Sequence, residues 1–281
     1  RVSNARWTVS AAELLQNGDL DGALRDLQDE VRKEPAKAKH RVFLFQLLTV
    51  LGQWDRALTQ LNVVGDLDGE TMLMVQAYGT ALQTEALRRD VWAGTKTPLV
   101  FGDPEEWIAL MLEAVRLDAA GSHAEATGLR ARALEAAPAT AGTMNGEPFE
   151  WIADGDDRLG PLLEAVVEGK LYWIPFHRIR ALGIAEPADL RDKVWAPAHF
   201  TWANGGEAVG FVPTRYPGSE SHDDAAIRLA TKTEWVEATP DCWHGVGQRM
   251  LNTDAGEYAI LDVRELVLET ASPPPPEGGD A

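Results

Sequence analysis

The sequence is short of cysteine, of basic residues and of long apolar runs, and each shortage removes a class of function. A single cysteine, Cys242, stands among 281 residues. No disulfide can form within the chain, and nothing points to an oxidising compartment. Lys and Arg number 26 against 44 Asp and Glu, a formal net charge of −18. Such a chain lacks the cations that displace counterions from nucleic-acid phosphates, and anionic lipid surfaces repel it. No stretch approaches the run of about 20 apolar residues that spans a bilayer. Residues 1–7 lack the apolar core of a signal peptide. The expectation is a cytoplasmic protein that binds neither nucleic acid nor membrane. A Gly-rich phosphate loop, a zinc-binding cysteine pair and an H-E-x-x-H string are also missing. No catalytic residue, cofactor or metal is therefore assigned, and the chain is expected not to be an enzyme.

What is present begins with a repeat. Gly18-Asp19-Leu20-Asp21-Gly22-Ala23-Leu24 returns as Gly52-Gln53-Trp54-Asp55-Arg56-Ala57-Leu58, 34 residues on. That is the tetratricopeptide period, with Gly at the turn between two helices and Ala where they cross closely. Pro35 falls where the second helix of the unit ends, and Trp7 at the aromatic position of the first. A third copy, Gly121-Ser122-His123-Ala124-Glu125-Ala126, is followed by Pro138 at the offset of Pro35 from Gly18. The wider gap before it leaves room for one degenerate unit, with helices over 70–89 and 104–117. The stretch from Gly94 through Pro98 to Gly102 reads as a loop, with Asp103 capping the next helix and Pro104 in its first position. Residues 1–139 are thus expected to form a tetratricopeptide-like helical repeat domain. The plainer alternative is an irregular helical bundle without a groove.

From residue 140 the texture changes to Gly, Pro, Trp and short β-rich runs. A helix is expected over 157–167, with Pro161 in its first turns and Gly169 ending it. Strands are expected over 171–174, stopped by Pro175, and over 193–203, 208–213, 233–237 and 258–268. A short helix is expected over 221–230. The fold class is α+β multidomain: the helical repeat domain, a small, partly barrel-like α+β domain over 140–270, and a disordered Pro/Gly-rich tail over 271–281.

Several residue groups invite chemistry. Asp154, Asp156 and Asp157 are too closely spaced for an EF-hand and suit helix capping or an ion pair, with Arg158 bridging to a carboxylate. Cys242 and His244 would share one face of a strand, yet no third orienting group is evident, so a buried Cys beside a packed His is expected. His222, Asp223 and Asp224 fit a helix start capped by Ser221. A metal there would need His177 or His199, which nothing in the spacing brings near. Arg215 and Tyr216, between Pro213 and Pro217, form either a stiff exposed anchor for a partner or a buried pair, with Tyr216 packed and Arg215 on an internal Asp. Trp7 and Trp54 fill repeat cores. Trp92 and Trp107 flank the irregular loop and could line a pocket.

The strings Asp154-Gly155-Asp156-Asp157-Arg158-Leu159-Gly160-Pro161, Leu171-Tyr172-Trp173-Ile174-Pro175 and Arg215-Tyr216-Pro217-Gly218-Ser219-Glu220 resemble, in combination, the ImpE-type family, accessory proteins of bacterial type VI secretion systems. Leu171 stands where an aromatic is expected. The resemblance extends over nearly the whole chain, because that family also begins with tetratricopeptide-like helices. It implies a non-catalytic adaptor. The adaptor would bind the small contractile-sheath subunit through that subunit's N-terminal helix and link it to the AAA+ ATPase that disassembles the sheath. It marks Asp154, Asp157, Arg158, Tyr172, Trp173, Arg215 and Tyr216 as signature positions with no binding role assigned; Trp92 and Trp107, beside the irregular loop, are candidate partner-binding positions on their own account. The repeat physics independently permits a helix to lie on a stack of helix pairs, and an acidic face speeds encounter with a basic amphipathic partner. The rival readings are a generic tetratricopeptide scaffold in another pathway and a hydrolase with a deep pocket of convergent Asp, His and Cys.

Overall fold

Gly18, Gly52 and Gly121 each sit at a sharp reversal between two helices, with φ of +77°, +66° and +81°. Only glycine adopts that conformation without strain, which is why the repeat is written in glycines. The computed structural model describes residues 10–103, 105–240 and 242–270. Trp7 and the expected disordered tail lie outside them. Gly18 joins α1 (Ala11–Gln16) to α2 (Leu20–Lys33), and Gly52 joins α3 (Ala38–Val50) to α4 (Trp54–Leu67). Ser10 and Glu13 form a capping box on α1, and Asp19 caps α2 through the Gly22 N–H. Both helices expected for the degenerate unit are present, the first as α5 (Met72–Trp92), 21 residues long, and the second after an intervening strand, where it pairs with the next helix rather than closing a hairpin on α5. Gly94, with φ +69°, then turns the chain out of the helical layer. The following residues enter a strand, β1 (Leu99–Val100), before α6 (Glu106–Ala119) and α7 (His123–Ala136) pair across Gly121. The N-cap of α6 is Glu105 rather than Asp103. Ala23, Ala57 and Ala126, the small positions of the repeat, are all fully buried.

The rest of the chain is rich in strands. In order come β2 (Gly142–Met144), β3 (Glu147–Phe149), β4 (Ile152–Asp154), β5 (Leu162–Val167), β6 (Lys170–Pro175), β7 (Ile179–Ile184), β8 (Trp195–Trp202) and β9 (Glu207–Pro213). A one-turn helix, α8 (Ala225–Arg228), precedes β10 (Thr233–Thr239), β11 (Cys242–Gly247), β12 (Met250–Thr253), β13 (Glu257–Ala259) and β14 (Glu265–Leu268). The main sheet has nine strands in the order β1-β6-β5-β9-β8-β7-β14-β2-β3, with β10-β11 and β13-β12-β4 as separate small sheets. Every pairing in the large sheet is antiparallel except β1 with β6. The sheet is open, with two edges, so the partly barrel-like expectation is corrected to an open sheet.

The expected helix over 157–167 is the strand β5. All six of its residues are buried, so its apolar run lacks the alternation that marks a strand with one wet face. The expected strand over 258–268 is split into β13 and β14 by a 3-10 turn at Ile260–Asp262. The expected helix over 221–230 shrinks to α8, capped by Asp224 rather than Ser221.

Helices and sheet share their cores. One cluster joins Leu27, Phe45, Leu48, Leu61 and Tyr78 of the helices to Val194 and Trp195. A second joins Trp107, Ile108 and Met111 to Leu162, Leu171 and Trp173. The third, including Leu182, Phe200 and Leu266, lies among the strands alone. Trp195 is wholly buried, 5.8 Å from the Trp54 ring, and its Nε1 donates to Glu85 at 2.7 Å. A Cβ on Gly52 would stand 2.5 Å from Cγ of Glu220. The inner faces of the first two hairpins and α5 are therefore occupied by the chain's own C-terminal residues, and the open groove expected there is filled.

Candidate functional site

The signature strings converge in space on a lattice of buried charge between the helices and the sheet. Arg249, at the head of β12, is fully buried and donates to Asp154 at 2.5 Å and to Glu164 at 2.7 Å. Glu164, on β5, also accepts from Arg88 of α5 at 3.0 Å and from the Trp92 indole at 2.9 Å. Arg88 reaches Glu85 at 3.6 Å and the Arg215 carbonyl at 2.7 Å. Tyr216 donates to Asp154 at 3.0 Å and accepts from the Met250 N–H. Buried charges are tolerated only when paired in this way.

Burial pushes the Asp154 carboxyl up to about 6, although Arg249 and the Asp156 N–H oppose the shift. Burial acts on Glu164 too, but its two arginines overcome it and hold the acid below the usual range. Asp156 is likewise held low against burial, by a bidentate Arg158 at 2.8 and 2.5 Å and by the Gly245 N–H. The aspartates cap no helix; the ion-pair reading of Arg158 is the one realised. Asp157 accepts from the Trp243 N–H at 2.7 Å, and the Arg158 guanidinium lies 4.7 Å from the Trp92 ring centre.

The other singled-out residues are equally absorbed. Arg215 is buried and donates to the carbonyls of Val50, Thr49 and Arg228 rather than to an aspartate. Tyr216 is wholly buried, and a Cβ on Gly245 would overlap its ring. The exposed-anchor reading of this pair is thus corrected: the strand-flanking prolines lead the loop inward, onto the helices. Trp173 is fully buried and 5.4 Å from Trp92; Trp107 is buried and donates to Glu105 at 2.8 Å. Tyr172 is half-buried against Phe101. Glu164, Arg249, Arg88 and Glu85, the centre of the lattice, were not anticipated. The one sequence signal for Glu164 is a lone acid inside Leu162-Leu163-Glu164-Ala165-Val166-Val167.

Cys242 and His244 do share a face, with Sγ and Nε2 3.8 Å apart, beside Arg130 and Asp118. Burial pushes the thiol up, and burial with Arg158 brings the imidazole down to about 4. Both groups are neutral at pH 7, the reverse of the thiolate–imidazolium pair a cysteine nucleophile requires. In the native protein Cys242 should react with a thiol reagent at least tenfold more slowly than after denaturation in urea. Equal rates would overturn this placement. His222, His177 and His199 stay apart, facing Glu234, Glu105 and Glu207 respectively. Among the described residues, the group with metal-like spacing is Glu30, Glu34 and His40, on the surface, where Lys33 and Lys37 already pair with the two acids.

A concavity of about 990 Å³ lies where the helical layer stops short of the sheet's far strands. Phe211 on β9 is covered by Tyr78 of α5, with ring centres 5.0 Å apart. Two residues back along the same face, Val209 is 72% exposed, and Leu73 on α5 is 83% exposed.

The family model described as ImpE protein matches residues 146–267. The type VI secretion system accessory component TagJ of Pseudomonas aeruginosa is 51% identical over 259 residues, 92% of this chain and 91% of that protein. The crystal structure of protein VPA1032 from Vibrio parahaemolyticus superposes with a TM-score of 0.84 at 22% identity, covering 93% of this chain and 98% of that one. That likeness establishes a shared fold.

Proposed function

This chain belongs to the ImpE family, and from that membership we infer that it is a protein-binding accessory component of a bacterial type VI secretion system. The observation that carries the reading is the 51% identity, over nearly the full length of both chains, to a relative bearing that description. The finer assignment follows the family. The protein holds the small sheath subunit by that subunit's N-terminal helix and brings it to the AAA+ ATPase that disassembles the sheath, working in the cytoplasm and catalysing no reaction. Its hairpins serve as tetratricopeptide-like scaffolding in residues 1–139, with residues 140–270 as the family-specific part.

Three features support a binding role over catalysis. The charged signature residues are consumed in the buried lattice, the Cys242–His244 pair is neutral, and the concavity beside α5 is lined mainly by apolar side chains. No helix of the described residues is long and apolar enough to cross a membrane. The test is titration of the full chain with a fluorescent peptide spanning the N-terminal helix of the same organism's small sheath subunit. Saturable binding at micromolar affinity or better is expected, and it should weaken as salt rises. Absence of binding at millimolar peptide would remove the sheath-subunit assignment.

A further inference from the structure

A sheet edge is a row of unpaired backbone donors and acceptors, and folds blunt such edges with short strands, prolines or covering segments. The nine-stranded sheet ends in β1, of two residues, and in β3, of three with Pro148 in the middle. The three-stranded sheet ends in β13 and β4, of three residues each. β10 is different: it has seven residues, no proline, and β11 as its one neighbour in its sheet. Among the described residues the backbone groups of 234–237 bond to β11 alone. A register shift between Glu237 and Thr239, and the contact of Thr239 with Thr127 of α7 at 3.2 Å, end the open run. Thr233 to Glu237 is left as a straight, unblunted edge.

This two-stranded ribbon is held firmly from behind. The far side of β11 is tied to the signature aspartates: the Trp243 N–H donates to Asp157 at 2.7 Å and the Gly245 N–H to Asp156 at 2.9 Å. Trp235 leans on Tyr216, with ring centres 5.7 Å apart, and against Gly155, where a Cβ would stand 2.7 Å from the indole. The rest of that ring is exposed, as are Val236 and Glu237. Alternation puts Trp235 and Glu237 on one face of the ribbon and Glu234 and Val236 on the other. The edge therefore reads acid, apolar, apolar, acid. Lys232 pairs with Glu234 at 2.5 Å, whereas Glu237 has no cation beside it among the described residues.

An added strand would satisfy the free backbone groups, and its side chains would have to complement that order. The order is symmetric, so a segment reading basic, apolar, apolar, basic matches it in either direction, with its cations opposite Glu234 and Glu237. A second copy of the chain does not match. Antiparallel pairing of two β10 strands centred between Trp235 and Val236 sets each Glu234 against a Glu237, and each copy carries a net charge of −18. We propose that the free edge of β10 is a docking site for an extended segment of another protein, with basic side chains flanking two apolar ones, added as a third strand of the ribbon. This surface is separate from any site for the sheath-subunit helix, and the proposal stands whether or not that assignment holds. It also gives the signature aspartates a role beyond the core, as the frame that presents β10.

The experiment uses the full chain and two fluorescent peptides of one composition, TKVVKT and TVKKVT. Their charges are equal, so the general attraction of an acidic protein for cations acts on both alike. The first should bind roughly fivefold more tightly, through its matched cross-strand pairs. It should also slow amide hydrogen exchange over 233–237. Val236→Lys and Glu237→Lys, at exposed positions, should each weaken it by roughly tenfold, and Leu67→Lys, exposed at the end of α4, should leave it unchanged. Exchange measured on the parent protein locates the peptide even if a variant fails to fold. Equal affinity for the two peptides, no binding at millimolar concentration, or slowed exchange in another segment instead would overturn the proposal. A dimer in sedimentation that Val236→Lys dissolves would overturn it too, since the occupant would then be a second copy.

Discussion

Arg249→Met should lower the melting temperature by about 10 °C. Among the described residues Arg249 is the one cation touching both Asp154 and Glu164, and its Nε also donates to the Pro213 carbonyl at 3.0 Å. Removing one partner of a buried ion pair costs roughly 3–5 kcal/mol, because the remaining charge is stranded away from water. In a chain of this size each kcal/mol moves the transition by about 2–4 °C. Two carboxylates are stranded here, although Glu164 keeps Arg88, so most of the loss falls on Asp154. Asp154 can escape by taking up a proton, since burial has already moved it to about 6. The variant should therefore recover stability as pH falls from 7 toward 5, where the parent protein recovers less. The sign follows from linkage: with its folded pKa above its unfolded one, this acid favours the folded state more as it is protonated. Thermal melts of both proteins at the two pH values decide it. A loss under about 1 kcal/mol would mean the lattice is a passenger in the fold rather than its centre.

Trp195→Ala tests how the helices and the sheet depend on one another. Deleting a buried Trp costs roughly 3–5 kcal/mol through lost burial and the cavity left behind. Here it also removes the donor that satisfies Glu85, an acid that burial already pushes upward. The side chain sits in the cluster shared by α1–α5 and the sheet, so its loss should destabilise both at once. Far-ultraviolet circular dichroism, which follows the helices, and tryptophan fluorescence, to which Trp151, Trp173, Trp202, Trp235 and Trp243 of the strand-rich region contribute alongside the tryptophans of the helical part, should show one coincident transition at lower temperature. Separation of the two curves, with the sheet surviving the helices, would show that the halves fold as independent units.

The parts of the fold that were legible in the sequence are those with a local cause. Gly18, Gly52 and Gly121 announce their hairpins because a left-handed turn needs glycine within a few residues of where it occurs. The strands around 171–174, 193–203 and 208–213 were readable because prolines stop them or aromatics and β-branched residues fill them. The reading failed at β5, where burial on both faces erased the alternation. Arg215 and Tyr216 looked exposed because a Pro-flanked segment reads as a loop. Their burial depends on Val50 and Asp154, far away along the chain. The lattice was illegible for the same reason: Glu164 and Arg249 lie 85 positions apart, and no short window contains both. The signature strings located the right segments, yet they mark what holds the molecule together. The concavity beside α5 is lined by Leu73, Ala77 and Val209, residues of ordinary kinds that no motif distinguishes.

The strand-rich region begins and ends side by side. Gly142 opposes Leu268, Thr143 opposes Val267, and the Glu269 N–H donates to the Ala141 carbonyl at 2.9 Å. The helices enter at one of these adjacent points, and the chain leaves at the other. Tension applied between residue 270 and the helical layer would thus load β2 and β14 at their common end, parting their hydrogen bonds one after another instead of shearing them together. This is the seam that would open first under a pull, and the lattice around Arg249, on other strands, would be spared until later.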